Sequence, residues 1–240
     1  MEQGDAKMTE NKKYELTDET KEWCEYTLHR IKALKNFGSV KAGKLGGWIE
    51  SEHNLSQDGG CWIYDNALVY RCARVCDNAV VWDNAIVCDN AVVCDNVVIG
   101  GHATICDNAT VHDDAVVCGN ATICDNATVC EAAKVSGNVV VCEKARVGDF
   151  AGVEGDATIC GDATICQSVD YTVVQGFGRM QRITTFYRLK DGNIGVTCGC
   201  FNGTIKEFRD KVDETHGNSK YAQEYLMIAD LMELHFGNEE

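Results

Sequence analysis

The chain is predicted to be mainly β: a solenoid of short parallel strands with a capping segment before it and a small α+β module after it. Three observations predict this. From Cys61 to Ser168 a six-residue rule runs through eighteen consecutive hexads without insertion or deletion. Before it lie an alternating stretch and the glycine-rich GKLGGWIES, and after it a hairpin pattern is followed by two helical ones.

The hexads come first because they decide the architecture. Ala recurs at every sixth position from Ala67 to Ala163, with Val97 and Val139 in the same register, and Val or Ile fills every sixth position from Ile63 to Ile165. A small-x-branched triplet favours a short strand, and the Asp-Asn that follows favours a bend, since both residues tolerate left-handed backbone. Strands this short must bury their apolar residues against the next turn of a coil.

The hexad [Val/Ile]-x-Asp-Asn-Ala-x resembles the hexapeptide repeat of left-handed parallel β-helices. That resemblance implies 18 residues per triangular coil, about six coils over the 108 residues 61–168, and a prism about 29 Å long at ~4.8 Å per rung. Residues eighteen apart then stack. One column reads Tyr70, Cys88, Cys106, Cys124, Cys142, Cys160; a second reads Cys76, Cys94, His112, Cys130, Gly148, Cys166; the third reads Tyr64, Trp82, Gly100, Cys118, Ser136, Glu154.

Three explanations compete for the cysteines: a metal ladder, disulfide staples, or small side chains filling a corner. The first residues, MEQGDAKMTENKKYELTDET, are polar throughout, lacking the apolar stretch of a signal peptide, and no later run is long enough to span a bilayer. The expectation is therefore a cytoplasmic protein whose fifteen cysteines are thiols. No Cys-x-x-Cys pair is present, and a straight column offers ligands two at a time, so neither metal nor cofactor is expected. Corner packing is the leading explanation.

The hexads hold fifteen Asp or Glu against five Lys or Arg, a balance of −10 within the chain's −15. The acids stack as Asp77, Asp95, Asp113, Glu131, Asp149 and as Asp89, Asp107, Asp125, Glu143. Such edges repel nucleic acid and attract cations or a basic protein face, making these residues candidate protein-binding positions; the plainer reading is turn chemistry that also confers solubility. Many hexapeptide β-helices are acyltransferases, but the coils here run without the loop that walls off a substrate. His102 and His112 occupy corner positions rather than a catalytic set, so no catalytic residue is assigned.

The flanks complete the division. Residues 1–13 are expected to be flexible. Residues 14–60 supply a strand (Arg30 and Lys32 alternating with Ile31 and Ala33) and a cap using Trp48, Ile49 and Trp62 over the open end. Residues 169–240 form the α+β module: a hairpin in TTFYRLKDGNIGVTCGCF turning at Asp191-Gly192 or Gly192-Asn193, and two helices. The first carries Thr204 and Glu207 in capping-box spacing with Ile205, Phe208 and Val212 as its apolar face. The second presents Tyr221, Tyr225, Ile228, Met232 and Phe236, widened by Ala229 and Leu231. Non-repetitive chemistry belongs in this module: Arg179, Arg182, Tyr187 and Arg188 are candidate ligand-binding residues, and Cys198 and Cys200, placed on one strand face, are a candidate redox pair.

YELTDET, RIKALKNFG, LGGWIESEHNLS, the hexads, and TTFYRLKDG with CGCFNGT together resemble a group of phage and prophage hexapeptide-repeat proteins of unassigned function. The resemblance implies a mobile-element origin. The leading functional expectation is a non-catalytic binding protein, an inhibitor of a host-defence or nucleic-acid-acting protein, as a homotrimer or dimer, binding neither nucleic acid directly nor membrane. The alternatives are an acyltransferase or small-ligand protein of the acyl-CoA or nucleotide class, and a scaffold or virion component.

Overall fold

The computed structural model describes residues 12–237; most of the segment expected to be flexible lies outside them. Eighteen two-residue strands, β4 (Trp62–Ile63) to β21 (Thr164–Ile165), stack in parallel with partners eighteen residues apart, as in Val98↔Val116, Thr104↔Thr122 and Thr110↔Thr128. They form the three faces of a parallel β-helix. The hexad Ala and Val/Ile side chains fill its interior, fully or almost fully buried along its length. The expected fold class is therefore the observed one.

The corners explain the Cys-Asp-Asn signature. Asp125 has φ +56°, Asp107 φ +56° and Asp113 φ +63°, the left-handed region that Asp and Asn enter at least cost among residues with a Cβ. The cysteine carbonyl then accepts the Ala N–H three residues on, Ala127 to Cys124 at 3.1 Å and Ala109 to Cys106 at 3.1 Å. Cys106 and Cys124 are thus the first residues of their turns. Backbone bonds between rungs finish the corner, such as Asn108 N–H to the Asp125 carbonyl at 2.7 Å.

The helix begins earlier than the strict hexad register. β3 (Leu45–Ile49) pairs in parallel with the rung twenty residues on (Ile49↔Val69), and Leu55 bridges Val75. One face is consequently seven parallel strands deep, a turn more than expected. Two extra residues are absorbed near Gly59 (φ +69°) and Gly60, where the N–H groups of Gly60 and Cys61 both reach the Asp77 carbonyl at 2.7 and 2.8 Å.

β1 (Tyr14–Trp23) and β2 (Tyr26–Ala33) form an antiparallel hairpin, and β2 pairs with β3, so the cap extends one face of the helix. Trp62 is fully buried between Tyr14 and Phe37, at ring distances of 6.2 and 5.4 Å. Lys13, grouped by sequence with the flexible terminus, is instead 1% exposed, its Nζ donating to the carbonyls of Asp58 and Cys61, both at 3.1 Å.

Beyond the last rung, β22 (Tyr171–Val174), β23 (Thr184–Arg188), β24 (Ile194–Cys198) and β25 (Phe201–Thr204) make a four-stranded antiparallel sheet. Helices α1 (Ile205–His216) and α2 (Lys220–Phe236) pack on it. The hairpin turn and the Thr204–Glu207 capping box stand where the sequence places them. The α2 stripe differs: Ala222, Tyr225, Ala229, Met232 and Phe236 are buried, whereas Tyr221 and Leu231 are exposed. The sheet also closes the solenoid, since Tyr187 joins the solenoid core and Ala163 bridges Leu189.

Candidate functional site

The stacked acids are occupied by their own backbone. Asp95, Asp113 and Asp125 each accept, through Oδ2, the N–H of the residue one rung on: Asp113 at 3.1 Å, Glu131 at 3.0 Å and Glu143 at 3.0 Å. Asp77, Asp89 and Asp107 do the same, and Glu131 and Glu143 extend the pattern to Asp149 and Gly161. Beside them run asparagine ladders, for example Asn78 Nδ2 to Asn96 Oδ1 at 3.1 Å and Asn120 Nδ2 to Asn138 Oδ1 at 2.9 Å. Each of these carboxylates satisfies a corner backbone N–H, and the asparagines satisfy one another.

Several of the corner cysteines are weakly acidic thiols. Burial and the Asp125 carboxylate push the Cys124 thiol up to about 11, and burial with Asp95 pushes Cys94 up to about 12. Cys106 is raised by its hydrogen bond with Cys88 and by burial. Protonated thiols are poor nucleophiles. At one rung the corner-packing expectation gives way: Cys142 and Cys160 are joined as a disulfide with Cα atoms 4.9 Å apart, because stacked corners bring their α-carbons within bonding range.

The C-terminal module gathers the remaining candidates differently from the sequence expectation. Tyr187 is 1% exposed, its hydroxyl within 3.0 Å of Thr197 Oγ1 and 3.1 Å of Asn202 Oδ1. Arg188 pairs with Asp170 at 3.1 Å and donates to the Phe236 carbonyl at 3.0 Å. Both are engaged in joining the module together. Cys198 and Cys200 do not share a strand face: Gly199 (φ +60°) and Cys200 form the two-residue turn between β24 and β25, so Cys198 is buried and Cys200 exposed. The expected shared strand face is absent because Gly199 turns the chain between them.

Arg179 and Arg182 do meet Cys198 and Cys200, around a cavity of about 420 Å³ between the 175–183 loop, the β24–β25 turn and α1. Its apolar lining is Phe201, Phe208, Val212, Met180 and Tyr225, and Lys211 and His216 join the arginines as its basic residues. No carboxylate lines it, in a chain of net charge −15. Among the described residues neither Arg179 nor Arg182 has a salt-bridge partner, while Lys211 is paired with Glu214 at 2.7 Å. The loop is held by Glu224, which accepts the Gly178 N–H at 3.0 Å, and it crosses Tyr225 so closely that a Cβ on Gly178 (φ +70°) would lie 2.2 Å from the Tyr225 hydroxyl. His216 stacks on Tyr225 at 5.8 Å. Sequence reading missed Lys211, His216 and Tyr225 as cavity residues, for on α1 and α2 they look like ordinary helix positions.

The YdcK β-solenoid repeat family model matches residues 103–119, inside the hexads. The uncharacterized acetyltransferase YdcK of Escherichia coli (strain K12) is 46% identical over 52 residues, 21% of this chain. The matched part is 16% of that protein's length, well under two thirds of it. Together with the parallel coils, these matches support a hexapeptide-type β-solenoid reading of the repeats. Among the described residues no helix is long and apolar enough to cross a membrane.

Proposed function

We propose that the protein is a solenoid-supported small-ligand-binding protein whose C-terminal cavity takes an anionic ligand with an apolar or aromatic part, of the acyl-CoA or nucleotide class. The observation that carries this is the cavity lining: two arginines without carboxylate partners beside an aromatic floor, with no acid among the lining residues. Guanidinium groups bind phosphate or carboxylate in forked pairs. A volume of about 420 Å³ falls in the range of small-molecule sites, roughly 300–1,000 Å³. The similarity to a protein named as an acetyltransferase supports the same class, because a CoA thioester joins phosphates to an adenine and an acyl group. In this reading the solenoid is a rigid support, with one carboxylate oxygen of each of Asp77, Asp95, Asp113 and Asp125 committed to its own backbone. A thermal-shift panel of CoA, acetyl-CoA and adenine and guanine nucleotides tests the proposal: at least one raises the melting temperature, and Arg179→Ala/Arg182→Ala abolishes the rise. Silence across the panel contradicts it.

A second reading places a basic protein face, such as that of a host nucleic-acid-acting protein, on the acidic edges, in keeping with a mobile-element origin. It is favoured by Oδ1 of Asp77, Asp95 and Asp113, which accepts no hydrogen bond among the described residues, leaving the edge charged outward. Affinity purification from expressing cells tests it: the partner must be lost when Asp77, Asp95 and Asp113 become Asn.

A further inference from the structure

Cys76, Asp77 and Cys94 bring two sulfurs and a carboxylate oxygen within 4.8 Å of one another, and His112, Asp113 and Cys130 do so with an imidazole nitrogen, a carboxylate oxygen and a sulfur. The two triads follow one another along a single edge. Residues 76, 94, 112 and 130 occupy successive rungs, and the acid column runs one residue beside them. The sequence argument against metal considered one column, which presents donors in a line. The neighbouring acid column supplies a third donor off that line: Asp77 and Asp113 each bring a carboxylate oxygen within 4.8 Å of the other two donor atoms of their triad.

Thiolate, imidazole and carboxylate together form the donor set of zinc and its borderline-soft neighbours, and three protein donors leave the fourth tetrahedral position open to water. Neighbouring corners hold similar residue types, yet among the described residues no other three such donors converge. Arg146, the cation beside the second triad, is bound to Glu131 at 3.0 Å, and the flanking Asp95 and Asp149 keep the edge attractive to cations. We propose that this edge is a strip of two metal sites for a zinc-class divalent ion, Cys76–Asp77–Cys94 and His112–Asp113–Cys130, on the face of the solenoid and independent of the C-terminal cavity.

Titration of the reduced full-length chain with Co²⁺, the spectroscopic substitute for Zn²⁺, tests this. The expected result is thiolate-to-cobalt charge-transfer absorption saturating at two equivalents per chain and displaced by Zn²⁺. Cys94→Ser removes one equivalent and His112→Ala the other, with Cys76→Ser as the alternative first-site variant if Cys94→Ser alters the β circular dichroism. Cys106→Ser, in the adjacent column, leaves both. Absence of charge-transfer absorption, saturation at one equivalent, or bands that survive in the Cys94→Ser/His112→Ala double variant would overturn the proposal, as would equal loss on Cys106→Ser.

Discussion

Replacing Asp125 in three ways separates the structural work of an acidic column from its charge. Asp125 sits at φ +56°, and its Oδ2 accepts the Glu143 N–H at 3.0 Å. Asp125→Gly keeps the backbone freedom and loses the acceptor, a cost of about 1 kcal/mol. Asp125→Ala loses the acceptor and also forces a Cβ without a polar group into the left-handed region, a further ~1–2 kcal/mol, so about 2–3 kcal/mol in all. Asp125→Asn keeps an acceptor oxygen and the same conformational tolerance while removing a charge flanked by Asp107 and Glu143. Carboxylates about one rung apart repel by on the order of 1 kcal/mol per pair in water before screening. The expected order of urea midpoints is therefore Asn at or above wild type, then Gly, then Ala. Added salt should stabilise wild type more than Asn, because charges so close lie inside the Debye length of about 8 Å at physiological ionic strength. If Asn is as damaging as Ala, the corner explanation fails and the charge itself is required.

Other outcomes follow from the same geometry. Ile123→Ala, at a fully buried core position, should destabilise by about 2–5 kcal/mol in the same unfolding measurement. Gly119→Ala places a Cβ 2.7 Å from the Gly137 nitrogen at φ +74° and should cost roughly 2 kcal/mol or more, unlike the tolerated Asp at neighbouring corners. Burial and the neighbouring carboxylate raise Cys124 from 9.0 to about 11. Its alkylation at pH 8, followed by peptide mass spectrometry, should therefore run roughly 100-fold slower than that of an unperturbed thiol, while the exposed Cys24, Cys72 and Cys200 react first. The raised thiols Cys94 and Cys124 favour the protonated folded state: their contribution is complete below the unfolded thiol pKa near 9.0 and is lost as pH rises towards 11–12. A urea-midpoint series from pH 8 to 11 should fall, and should fall less for Cys94→Ala/Cys124→Ala.

The repeats were legible because every hexad makes the same physical demand: a buried Val or Ile, a buried Ala, and a corner residue that accepts left-handed backbone. The first turn escaped that pattern because Ile49 and Leu55 meet their partners at a separation of twenty residues, the excess being taken up beside Gly59 and Gly60. Strand alternation misplaced Cys200 because nothing in GVTCGCF distinguishes a continuing strand from a two-residue turn until Gly199 adopts φ +60°. Arg179 and Arg182 were legible as basic residues following the glycines of a loop. Their surroundings were not, since Lys211, His216 and Tyr225 reach them only through the fold-back of that loop onto α2 by Gly178 and Glu224. Tyr187 and Arg188 stand apart from that cavity: tertiary packing turns one into the solenoid core and ties the other to Asp170 and the end of α2.

The central claim, that the C-terminal cavity binds an anionic ligand through Arg179 and Arg182, is tested most directly by isothermal titration of the full-length chain with CoA, acetyl-CoA and nucleotides, for wild type and for Arg179→Ala/Arg182→Ala. The claim predicts saturable one-to-one binding by wild type, at least 10-fold weaker in the double variant, with Asp125→Asn binding as wild type does. Absence of binding by wild type, or equal affinity in the double variant, would contradict it.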